Sequence, residues 1–199
     1  VASVATVMLV PWLGGLTPTT AGALVLWCLA SVAITVGQGW PILLLVQMIP
    51  TALVVWGASA DLPGDPWSLI WAAVLALGTL AVVVWQRDVP RHVGVGIGLA
   101  SLFGCLPLWQ IAAAESAPGY PAMVPIGVLV VVALAQLGVA LAPGLASEIG
   151  RSVALTLAPI SLWVLASCFL QGEWLAVAAI SIALGWAAIG HLGRTPWAS

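Results

Sequence analysis

Residues 66–91 read PWSLIWAAVLALGTLAVVVWQRDVPR. From Pro66 to Gln86 nothing is charged; then Arg87, Asp88 and Arg91 arrive together around Pro90. A helix of that apolar length rises about 30 Å, the thickness of a bilayer's hydrocarbon core. Asp65 precedes it as an N-cap, and Pro66 stands at the first helical position, where a missing N–H costs nothing. The segment therefore reads as a transmembrane helix that starts at a cap and stops at a charged, proline-containing gap.

The same alternation extends through the chain. Apolar runs fall at about 1–16, 21–37, 41–58, 66–86, 92–114, 121–142, 152–170 and 174–190, each separated by Pro, Gly or charge. The sequence is 63% hydrophobic and 5% charged, with a mean hydropathy of +1.20. A soluble domain devotes about a quarter of its residues to charge. The expected fold is therefore an all-α polytopic bundle of about eight spans, forming a single transmembrane domain over 1–199 with the lipid bilayer as its solvent. Residues 1–60 carry no charge, so spans one to three also admit a reading as two.

Only four residues carry a fixed positive charge: Arg87, Arg91, Arg151 and Arg194. With eight spans all four lie on one side, whereas Asp61, Asp65, Glu115 and Glu173 lie on the other. The positive-inside rule, which applies to short loops of this kind, makes the arginine side cytoplasmic. Both termini are then cytoplasmic, in a bacterial-type inner (plasma) membrane. The chain opens on Val1 rather than methionine, which suggests processing or a longer parent, and 1–16 lacks the basic n-region of a signal peptide. With no lysine and no basic tract, nucleic acid is excluded as a partner.

Twelve tryptophans fit the same picture. Trp12, Trp40, Trp56, Trp67, Trp85, Trp109, Trp174 and Trp197 fall near the ends of spans, the position indole prefers. Trp27, Trp71, Trp163 and Trp186 fall deeper and are expected in helix packing. Cys28, Cys105 and Cys168 are widely spaced in apolar surroundings and read as free, buried thiols.

No Asp, Glu, Lys or Arg lies inside a predicted span, which argues against proton-coupled carriers and paired-carboxylate catalysis. Polar groups inside the spans are neutral and include Thr35, Gln47, Gln110, Gln136, Thr156, Ser161 and Ser167. Gln47 near Pro50, and Thr156 near Pro159, mark places where proline leaves a carbonyl without its backbone donor. Together with Gln136 they form a candidate pathway for a neutral solute. Singly, each such group reads as an interhelical hydrogen bond. Pro107 and Pro125 are two further candidate kinks.

Two histidines, His92 and His191, lie on the arginine side. As neutral imidazoles they are compatible with axial ligation of haem or a chlorophyll-type pigment, but an interfacial role is favoured and no cofactor is expected. The run Gly94-Val95-Gly96-Ile97-Gly98, with Ser101 and Gly104, suits close helix packing rather than phosphate binding. A serine hydrolase built on Ser101 and His191 lacks an oxyanion donor, and no catalytic residue is assigned. A loose similarity between Leu26–Trp40 and Leu162–Trp174 has the relation expected of inverted repeats.

Two functions stay open. The first is a permease or channel-like unit for a neutral or apolar solute. The second is a non-catalytic subunit packing with other membrane subunits, or with copies of itself, in a transport, secretion, redox or photosynthetic complex. An intramembrane enzyme or pigment-binding protein is third.

Overall fold

The computed structural model describes residues 17–37, 41–61, 65–85, 91–113, 121, 123–142 and 144–192. Among these residues the protein is entirely helical: α1 (Pro18–Gly37), α2 (Pro41–Asp61), α3 (Pro66–Trp85), α4 (Arg91–Ala113), α5 (Met123–Leu141), α6 (Glu148–Ser167) and α7 (Glu173–Leu192). Four segments, in α3, α4, α5 and α6, are long and apolar enough to cross a membrane. The expected first span, 1–16, lies outside the described residues, as do Arg87 and Arg194. Residues 18–61 hold two helices, α1 and α2.

The starts of the helices follow capping chemistry. Asp65 Oδ2 accepts from the Ser68 backbone N–H at 3.0 Å and from its hydroxyl at 3.3 Å, directly ahead of Pro66. Thr17 repeats the device: its hydroxyl accepts from Thr20 N–H at 3.3 Å, with Pro18 opening the helix. α1 accordingly begins three residues before the expected Ala21. α6 begins at Glu148 rather than Ser152, because Ser147 caps it by accepting from Gly150 N–H at 3.1 Å. Glu148 in its first turn also complements the helix dipole. The helix stops at Ser167, before the expected 170, and Gly172 then turns the chain at φ +58. Gly144, at φ +82, serves the α5–α6 connection in the same way.

α3 and α4 form the middle of the bundle. α1 and α2 pack on one flank, α5 and α6 on the other, and α7 docks against α6. Short connections between helices packed in sequence make neighbours antiparallel. Glycines allow the tightest approaches to α3. The Trp71 indole covers Gly22 of α1, the Leu29 side chain covers Gly78, and a Cβ at Gly104 of α4 would stand 3.0 Å from Thr79. At Gly150, a Cβ would come within 3.0 Å of the Val83 carbonyl, so the start of α6 abuts the end of α3. Without an apolar gain over lipid, such small-residue contacts and interhelical hydrogen bonds drive association.

The outside of the bundle carries many large apolar side chains. Ile34, Trp85, Leu134, Ile180 and Leu184 are among many large hydrophobic residues left exposed. In water this would be a severe liability, whereas in lipid it is an ordinary surface. Trp27 and Trp163, expected in helix packing, are about half exposed on this outer face. Trp109, expected near a span end, stands four residues before the end of α4 and is buried.

Candidate functional site

Four side chains of α4, α5 and α6 form a buried polar cluster. Cys105 and Trp109 are four residues apart on α4 and so share a face. That face meets Gln136 of α5 and Ser161 of α6. Trp109 Nε1 donates to Ser161 Oγ at 2.9 Å, Ser161 Oγ donates to Gln136 Oε1 at 2.7 Å, and Gln136 Nε2 donates to Cys105 Sγ at 3.4 Å. All four side chains are buried, with Ser161 fully inaccessible and Gln136 only 1% exposed. The chain is directional: an indole with only a donor starts it, a hydroxyl passes it on, and an amide that both accepts and donates ends it on a soft acceptor.

A second polar pair joins α1 to α2. Thr51 Oγ1 donates to the Gln47 carbonyl at 2.8 Å, and Cys28 of α1 is buried beside Thr51. The carbonyl lies three residues before Pro50, the internal proline of α2. Gln47 itself is buried.

A third link answers Pro159. Having no N–H, this residue leaves the carbonyl four residues earlier, Leu155 O, without its helical donor. Trp186 Nε1 of α7 donates to that oxygen. Thr156, one residue on, is exposed, and its hydroxyl returns to Ser152 O of its own helix at 2.9 Å. Pro125 falls in the first turn of α5, where N–H groups have no helical partner in any case, so it breaks nothing.

The residues of the candidate pathway are thus distributed over both flanks. Gln47 and Pro50 are on α2, against α1, α3 and α4, whereas Gln136 is on α5, and Thr156 and Pro159 are on α6. His92 lies in the first turn of α4 and His191 in the last turn of α7; their side chains lie outside the described ones. Ser101 is buried in α4, which packs with α2, α3, α5 and α6, whereas α7 docks on α6. Among the described residues, no three His, Cys, Asp or Glu side chains converge on a point that could hold a metal.

Arg151 Nε donates to Ala140 O at 3.3 Å, placing a cation on a terminal carbonyl of α5. Beside this end, α3 and α5 diverge into an open apolar groove of about 540 Å³, lined along α3 from Leu77 to Trp85 and along α5 by Ala135, Gly138 and Val139. Neither Trp109, Cys105 nor the groove announces itself in the sequence; the i, i+4 spacing of Cys105 and Trp109 is the one usable signal.

No protein-family model, no curated protein and no solved structure matches the chain.

Proposed function

We propose that this protein is a non-catalytic, membrane-embedded helical subunit whose task is to pack. The observation that carries this reading is the buried chain from Trp109 through Ser161 and Gln136 to Cys105, in which Gln136, a residue of the candidate solute path, is bonded to its neighbours on α4 and α6. Trp186 likewise takes up the carbonyl freed by Pro159. The exposed surface, rich in Leu, Ile and Trp, suits both lipid and neighbouring membrane helices. The protein sits in a bacterial-type inner membrane as eight spans, with Arg87, Arg91, Arg151 and Arg194 on the cytoplasmic side. The close approach of Gly150 to Val83 supports this arrangement, since it puts the Arg151 end of α6 beside the end of α3 that leads to Arg87.

A second reading, transport of a neutral solute, is favoured by one pattern. The three helices with a proline inside, α2 (Pro50), α4 (Pro107) and α6 (Pro159), form a contacting row and run in the same direction. Such a row could supply a plane of hinges. Native mass spectrometry of protein extracted gently from its own membrane separates the two readings. A stable complex with other polypeptides supports the subunit. A lone chain or homo-oligomer that carries neutral solutes across proteoliposomes overturns it in favour of transport.

A further inference from the structure

We infer that the groove between α3 and α5 is a binding site for an anionic phospholipid, with an acyl chain against the groove and the headgroup phosphate on Arg151. The two walls supply an apolar track. Leu77, Ala81 and Trp85 recur at helical spacing along about 12 Å of α3. Ala135 and Gly138 face them from α5, and Leu145 of the α5–α6 connection closes one end. A Cβ built on Gly138 would meet nothing within 4 Å, so the track is open at the point where a chain must pass.

The charge at the end of the track decides which lipid fits. Gly150 abuts Val83 of α3, and the next residue, Arg151, reaches Ala140 of α5, so the start of α6 ties together the ends of the same two helices that form the groove. The guanidinium carries five N–H donors, and one of them serves Ala140. The others form a planar fork suited to phosphate oxygens. Trp85, highly exposed, stands at the same end of α3, at the level where indole meets headgroups. Arg151 stands beside the groove rather than in its lining, tied to it through Ala140, and Glu148, one turn earlier, is exposed at the helix start. An apolar track, an interfacial indole and a cation at its mouth together fit one diacyl lipid with a net negative headgroup.

The test is native mass spectrometry of the delipidated full-length protein, titrated with phosphatidylglycerol or phosphatidylcholine of identical chains. The proposal expects one phosphatidylglycerol to bind at least about fivefold more tightly than phosphatidylcholine, the discrimination expected of a single interfacial arginine. Arg151→Gln should abolish this preference. Gly138→Trp, which fills the groove from an open position, should remove both lipids, whereas Gly127→Trp, equally open on the same helix but outside the groove, should bind like the parent. Thermal unfolding of each variant separates lost binding from lost structure, and Gly138→Trp, with free space around it, remains decisive if Arg151→Gln unfolds. Equal binding of both lipids overturns the proposal. So does a preference for phosphatidylglycerol that survives Gly138→Trp, because the charge would then act without the groove.

Discussion

Ser161 is the pivot of the bundle's interior, because its single hydroxyl accepts from Trp109 and donates to Gln136. With no water in the hydrocarbon, a group that loses its partner there has few alternatives. Measured interhelical hydrogen bonds in membranes are nevertheless modest, about 0.6 kcal/mol on average and up to about 1.7. Ser161→Ala breaks two at once and leaves an indole N–H and an amide oxygen unpaired, so it should cost about 1–2 kcal/mol. Gln136→Leu removes one of those orphans, and the double variant should therefore cost less than the two single changes together. Reversible unfolding in mixed micelles measures all three. Strict additivity would mean that the hydroxyl and the amide do not act as one chain.

The relation between α6 and α7 turns on a missing backbone donor. Pro159 leaves Leu155 O without its usual partner, and Trp186 supplies an indole N–H from the next helix. Trp186→Phe should cost about 1 kcal/mol in the parent and close to nothing beside Pro159→Ala, where the helix again supplies its own N–H. Equal costs in both backgrounds, read by the same unfolding assay, would sink this account. The elements themselves are largely legible in the sequence, because a run of about 20 apolar residues behind Asp65-Pro66 has few other solutions. The starts at Pro18 and Glu148 escape a sequence reading because Thr17 and Ser147 look like ordinary loop residues until their hydroxyls are seen to accept from the backbone. Gln136 and Ser161 stand out as polar groups in apolar runs. That they bond to each other, and that Trp109 and Cys105 join them, depends on how α4, α5 and α6 rotate about their axes. In a helix apolar all round, the sequence does not record that rotation.

The assembled bundle has two chemically different ends, and a decisive measurement can address them. One end carries Arg151 on the α5 terminus, the Leu145 turn and the contact of Gly150 with Val83. The other carries Asp65 at the start of α3 and Glu173 at the start of α7. Cations resist translocation in short loops far more than acids do, so the arginine end should stay in the cytoplasm. Leu145 and Glu173 are both exposed and lie on opposite ends, which makes them matched reporters. In a Cys168→Ser background, with Cys28 and Cys105 buried, Glu173→Cys should react with a charged, impermeant thiol reagent applied outside intact cells. Leu145→Cys should react only after the membrane is opened. Reversal of that pattern would invert the bundle, and labelling of both sites from one side would break the alternation of α6 with its neighbours. Reversal would also move Arg151 away from the anionic leaflet, so this topology is the condition under which a phosphate on its guanidinium makes physical sense.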